Sequence, residues 1–413
     1  MSSISTTTTY GASSQISEVR KPSMRIPSID VLRGFAMIFM ALDHTRDFFS
    51  AQKIGFQGID HLATSYYFTR WITHLCAPTF IFLAGLAAYL QLARGKSKRD
   101  LSFFLFTRGL WLILLEVTVV GFSWVFAPSI PAFQVIWAIG VSMIFLAGII
   151  WLPLPAIAAV GIAFVAGHNL FDGIHAASLG HWADLWHLVH EPGFLLLGGK
   201  PVGFLIYPVV PWNGVMALGF CFGRIMTLSP ERRIRATAIC GACLLAIFVV
   251  LRALHAYGDP NTWTSSEGLA VAVKGFLNVD KYPPSLQYCA VTLGLSLLLL
   301  AWFDSLLTSG RALWLRKSVE VFGRVPLAYY ILHLYVIHAL TLTLCGLTTH
   351  NWRVFIAPLS RSPLLLGFPP GYGFSLPAVY AFWIVIVFSL YWPMRRYAEY
   401  KQAHPEKRWL SYL

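Results

Sequence analysis

Charge is scarce in this chain of 413 residues: Asp and Glu together number 18, and charged residues of all kinds make up 12% of the sequence. That excludes an ordinary soluble domain. The first residues are not expected to be a secretory leader. Residues 1–27 have neither an apolar stretch nor a cleavage-site pattern, and their Ser/Thr-rich start cannot build a core. They are expected to form a disordered cytoplasmic tail. The six cysteines all fall in or beside apolar runs, which argues against a disulfide framework. Cys240 and Cys243 have zinc-like spacing but no second Cys/His pair nearby, and no metal is expected. Internal repeats are absent, as are the paired, Gly/Pro-interrupted segments of inverted-repeat transporters.

What the chain does have is hydrophobic length: 57% of its residues are hydrophobic and its mean hydropathy is +0.63. Apolar runs of roughly 17 to 25 residues, enough to cross about 30 Å of hydrocarbon as helix, occur near 28–49, 71–92, 102–126, 132–151, 154–170, 203–227, 235–256, 285–307, 320–345 and 375–397. The expected fold is therefore an all-α polytopic membrane protein of about ten transmembrane helices. The membrane domain occupies 28–400, and 401–413 forms a C-terminal tail. Lys and Arg concentrate after the even-numbered spans, in "RGKSKRD" (94–100), "SPERRIR" (229–235), "GRALWLRKS" (310–318) and the tail "RRYAEYKQAHPEKR" (395–408). About two-thirds of them then lie on one side, which places both termini in the cytoplasm of a cell (inner or plasma) membrane protein. The net charge of +13 is accounted for by juxtamembrane cations facing anionic lipid and requires no nucleic acid.

The long outer connections, 50–70, 171–202, 257–284 and 346–374, are aromatic, rich in Pro and Gly, and hold six of the 13 histidines. Function is expected on that face. Within them, 181–197 reads as a helix lying in the membrane interface. The His/Asp-rich part, including His187 and His190, shows no compact ligand pattern.

The first span, "SIDVLRGFAMIFMALDHTRDFF" (28–49), carries Asp30, Arg33, Asp43, His44, Arg46 and Asp47. Asp30, Arg46 and Asp47 lie near its ends, where they can reach headgroups. Arg33 and His44 are eleven residues apart, which puts them within roughly 20° of each other and about 16 Å apart along a helix axis. Ionisable groups within a span mark a wet pocket or a partner, so this stripe, Arg33, Met37, Met40 and His44, is the primary site candidate. Asp43 is turned about 100° away, toward Arg46 or Asp47 rather than toward His44. Further ionisable candidates are Arg108 and Glu116 in the third span and Arg324, His333 and His338 in the ninth.

Several segments, in order, resemble the heparan-alpha-glucosaminide N-acetyltransferase catalytic-domain family, in its bacterial branch: "RIPSIDVLRGFAMIFMALDH" (25–44), "TRWITHLCAPTFIFLAG" (69–85), "RGLWLILLE" (108–116), "YPVVPWNGVMALGFCFG" (207–223), "KYPPSLQYCAVTLG" (281–294) and "RVPLAYYILHLYVIH" (324–338). The Arg-x10-His pattern is also similar to that of the acyltransferase-3 membrane proteins. The resemblance implies a transmembrane acyltransferase bundle that takes an acyl group, expected to be acetyl, from cytoplasmic acyl-CoA to an outward-facing sugar or glycoconjugate. Arg33, Arg108 and Arg324 would serve the CoA phosphates, and His44, assisted by Asp43, would be the base or transient acyl carrier. His61 and His74 stand as alternatives, because the family's lysosomal member carries asparagine at the position of His44 and its important histidine further along. Arg70, Trp212, Asn213, Tyr282 and His333 are the substrate-side candidates. The competing reading is a secondary transporter or flippase that uses the same intramembrane Arg, Asp and His groups as its path.

Overall fold

The computed structural model describes residues 25–52, 63–263 and 268–412. The expected N-terminal tail up to residue 24 and the candidate His61 lie outside the described residues. The chain opens with α1 (Pro27–Phe49), with proline in the first turn where its missing N–H costs nothing. Asp30 at its start and Arg46 at its end both complement the helix dipole. Helix α2 (Thr64–Thr73) passes through one turn into α3 (Cys76–Ala93). Helix α4 (Lys98–Leu115) is capped by the Ser97 side chain, which accepts from the Asp100 N–H. A π-helical turn, Glu116–Val120, joins it to α5 (Gly121–Val125). There follow β1 (Ala132–Phe133), α6 (Val135–Ile149), α7 (Leu154–Gly167), α8 (Ala183–Val189), β2 (Gly193–Leu197), β3 (Lys200–Leu205), α9 (Val209–Phe222) and α10 (Pro230–Leu254). The last third comprises α11 (Leu269–Leu277), α12 (Leu286–Thr308), α13 (Leu313–Ser318), α14 (Glu320–Arg324), α15 (Pro326–Thr349), α16 (Pro363–Leu366) and α17 (Leu376–Ala403).

The protein is an all-α polytopic membrane protein. Among the described residues, eight helical segments are long and apolar enough to cross a membrane, including Thr64–Ala93, Pro326–Thr349 and Leu376–Ala403. Of the two further helices that the sequence reading counts as spans, α6 is 15 residues long. The other, α1, has 23 residues but an unusual load of charge.

The interface helix expected over 181–197 is corrected. Only Ala183–Val189 is regular helix, and 193–197 is strand β2, paired antiparallel with β3. Pro192, which has no N–H to give, ends the helical run. The hairpin turns at Gly198 and Gly199, both at positive φ, a conformation that glycine adopts without steric cost. Strand β3 also pairs in parallel with β1, giving the order β1-β3-β2.

Helix α1 is the hub: it packs on α3, α12, α14, α15 and α17, and most of its residues are buried. Its approach to α14 is backbone on backbone. A Cβ added at Gly34 would strike the carbonyl of Val319, and one added at Gly323 would strike that of Asp30. Backbone cannot yield as a flexible side chain would, so Gly323→Ala is expected to destabilise the protein by about 1–3 kcal/mol. The check is the melting temperature of the detergent-solubilised protein, and an unchanged value would show that the two helices separate freely.

Candidate active site

A cavity of about 300 Å³ opens beside the C-terminal half of α1. One side of it is polar, formed by Asp43, His44, Arg46 and Asp47 of α1, Arg70 and Thr73 of α2, His74 at the α2–α3 junction, and Lys281 and Tyr282 ahead of α12. The other side is apolar, including Ile130, Val135, Phe204, Ile206, Leu359 and Leu364. The small sheet serves this wall, because β1 and β3 bring Ala132 and Phe204 to it. Glu116, fully buried in the π-helical turn, fixes the same wall from behind. Its carboxylate accepts from the N–H groups of Gln134 and Trp137, both at 3.2 Å, and so caps the start of α6.

The hydrogen bonds around His44 determine which of its nitrogens is free. Nδ1 of His333 lies 2.8 Å from the Tyr329 carbonyl, which can only accept, so Nδ1 carries the proton. In a neutral ring, Nε2 of His333 is then the acceptor. It lies 2.7 Å from Nδ1 of His44. His44 therefore donates from Nδ1, and its Nε2 is left as a lone pair with no protein partner among the described residues. The two rings are nearly coplanar in orientation, 10° apart, and Trp124 and Tyr330 stand edge-on to His44. His333 is fully buried and does not line the cavity; it acts on the cavity only through His44.

Asp43 does not bond His44. One of its oxygens lies 2.6 Å from Arg46, and it accepts from the Thr73 hydroxyl at 2.8 Å. Asp47 takes the same guanidinium nitrogen at 2.7 Å. Arg46, 4% exposed, is thus held in the cavity wall between two carboxylates rather than reaching out to headgroups. Removing one partner from such a buried group strands the others, so Arg46→Met is expected to cost about 3–5 kcal/mol of stability. Thermal unfolding checks this, and a melting temperature equal to wild type would mean that Asp43 and Asp47 are solvated.

Lys281 shares a side-chain hydrogen bond with the Tyr282 hydroxyl, to which its ammonium donates. Burial works against its charge, but Tyr282 and Asp43 more than offset it and hold its pKa above the ordinary lysine value. The loop that presents Lys281 and Tyr282 is pinned by Asp259, which accepts from the Asp280 N–H at 2.8 Å and the Ser285 hydroxyl at 2.6 Å. Arg252 holds the neighbouring turns through carbonyls of Asn261, Gly275, Phe276 and Asn278.

The structure thus brings His44, Asp43, His74, Arg70 and Tyr282 to one cavity. Trp212 is fully buried and packs against Tyr207 and Tyr288, so it has no open face for a sugar, and the Asn213 amide oxygen accepts from Ser142. Neither lines the cavity. Arg33 lies toward the other end of α1, donating to Asp30 at 3.0 Å and to the Gly323 carbonyl at 3.2 Å. Arg324 pairs with Glu320 at 2.7 Å. His338 faces the carbonyls of Ser123 and Phe355, away from His44. Two cavity residues escaped sequence reasoning, Arg46 and Lys281. The signal for Arg46 was its place two residues after His44, and for Lys281 its place beside Tyr282 in "KYPPS".

A family model described as heparan-alpha-glucosaminide N-acetyltransferase, catalytic, matches residues 25–257, more than half of the chain. No curated protein matches the chain.

Proposed function

From the premise that the chain belongs to the heparan-alpha-glucosaminide N-acetyltransferase catalytic family, a family of membrane acetyltransferases, we propose that it moves an acetyl group from acetyl-CoA on the cytoplasmic side to a sugar or glycoconjugate on the outer side. His44 is the general base of this reaction. The observation that carries the reading is the lone pair left on His44 Nε2 by the bond to His333, at the edge of a cavity. An imidazole so held is suited to take a proton at neutral pH.

In the proposed step, His44 Nε2 accepts the proton of an acceptor hydroxyl or amine as that atom attacks the thioester carbonyl. The new C–O or C–N bond forms and the C–S bond breaks. The CoA thiolate leaves and takes up the proton that His44 holds. Arg33 and Arg108 are assigned to the donor's phosphates, since both lie within electrostatic reach of one another and of Lys401, a gathering of cations that an anionic donor would balance. Arg324, tied to Glu320, would have a lesser part. Arg33 and His44 are separated by about 16 Å of helix, which is the distance that the donor's pantetheine arm has to bridge.

The test is transfer of radiolabelled acetyl from acetyl-CoA to carbohydrate in membranes containing the protein. Labelling no greater than in membranes without it, over a panel of hexoses and hexosamines, would remove the enzyme reading.

A further inference from the structure

We infer that the acceptor is an anionic amphiphile: a singly charged head group held by Arg70 and Lys281 beside His44, and an apolar chain lying along Ile130, Leu359, Leu364 and Leu365. The inference rests on the transfer reading above for its use of the word acceptor, but its observations are independent of it.

The first observation is a balance of charge. The cavity lining contains two carboxylates, Asp43 and Asp47, against three cations, Arg46, Arg70 and Lys281. Both carboxylates are committed to Arg46. Arg70 is 9% exposed, and among the described residues its Nε has no partner and no carboxylate lies within ion-pair distance of it or of Lys281. Asp43 favours the charge on Lys281 from a distance, but the lining as a whole keeps one positive charge in excess, and one negative charge on a ligand would balance it. A neutral sugar leaves the excess in place, and a dianion overshoots it.

The second observation is the opposite wall. Saccharide hydroxyls gain nothing from Ile130, Leu359 and Leu364. At the mouth, Leu365 is 43% exposed and Leu366 is 72% exposed. The loop that carries these leucines joins α15 to α17, two helices long and apolar enough to cross a membrane, so these leucines are carried beside the ends of spans. Each methylene withdrawn from water there is worth about fourfold in affinity. The anion can belong to a carboxylated sugar or to a lipid phosphate; the chemistry recognised is the same.

The experiment measures calorimetric binding to the full-length protein in nanodiscs, without acetyl-CoA, for methyl glucoside, methyl glucuronide, hexyl glucoside, hexyl glucuronide and hexyl methyl phosphate, a phosphodiester that carries one negative charge. The glucuronides are expected to bind about tenfold more tightly than the matched glucosides, and the hexyl compounds at least about tenfold more tightly than the methyl ones, the gain when about two of the five added methylenes leave water. Arg70→Gln and Lys281→Gln should each erase the first difference alone. Leu365→Ser, at a partly exposed position, should shrink the second alone. Hexyl methyl phosphate binding as well as hexyl glucuronide would assign the anion to a phosphate, and weaker binding would assign it to a carboxylated sugar; either supports the inference. Equal binding of glucosides and glucuronides, or of methyl and hexyl forms, overturns it, and this comparison in wild type needs no variant to fold. Because the ranking is read without donor, hexyl glucuronide that binds tightly yet never receives acetyl label would sink the transfer reading and leave this one standing.

Discussion

Replacing His44 by glutamine is expected to lower acetyl transfer by about a thousandfold, within the range of general-base removal, while leaving the amount and the melting temperature of the protein near wild type. Glutamine has nearly the reach of histidine, so its amide can still donate toward His333 Nε2, the contact now made at 2.7 Å. What it cannot supply is a lone pair basic enough to take a proton at neutral pH. His74 provides the contrast. It lines the same cavity, but among the described residues neither of its ring nitrogens has a hydrogen-bond partner, so no hydrogen bond there selects its tautomer. His74→Gln is expected to cost less than about tenfold, since no proton transfer is assigned to it. The reverse ranking in a side-by-side initial-rate assay would move the base to His74. A loss below tenfold for both variants would remove histidine catalysis from this cavity.

The second large effect concerns His333, which touches no substrate in this reading and is a positioning residue. His333→Leu leaves the Nδ1–H of His44 buried and unpaired, and the ring can then place its proton on Nε2 instead, which silences the base. A loss of about a hundredfold in kcat with KM little changed is expected, because an unpaired buried donor together with a wrong tautomer costs on the order of 1–3 kcal/mol. His333→Gln should recover most of the rate. Its oxygen can accept from His44 while its amide N–H reaches the Tyr329 carbonyl, the two contacts that His333 makes at 2.7 and 2.8 Å. A purely structural role would instead show equal damage from Leu and Gln, or a change in KM rather than in kcat.

The membrane helices were legible because hydrophobic length is a local property, as in Pro326–Thr349 and Leu376–Ala403. So was the position of His44 relative to Arg33, since α1 is helical throughout and angular position follows from residue count. Asp43 turned toward Arg46 for the same reason. The partners contributed by distant parts of the chain were not legible. His333 stands 289 residues from His44, and no periodicity connects them. Arg46 looked like a headgroup anchor because its distance from the end of the span could not reveal the two carboxylates closing over it. Trp212 and Asn213 looked like rim residues because a Pro-rich turn suggests an edge, whereas both lie within helix α9 and are buried. The hairpin at 193–205 was hidden by its own apolar residues, which fit a helix face as well as a strand until Pro192 and the Gly198–Gly199 pair are given their due.

The contact between Gly34 and Gly323 bears on what can travel through this protein. A carrier that exposes its cargo alternately to two sides must let one half of the molecule rock against the other, usually by helices sliding on well-lubricated side-chain surfaces. Here the central helix meets its neighbour peptide to peptide at the end opposite the cavity, with no side chain between to act as a bearing. Rotation or sliding of α1 would drive one chain's carbonyls into the other's, so the hub behaves as a fixed axle. A bundle locked in that way favours relaying a small chemical group along a stationary path over ferrying a whole solute, and in the proposed transfer the stretch from Arg33 to His44 would serve as a ruler for the donor rather than as a moving gate.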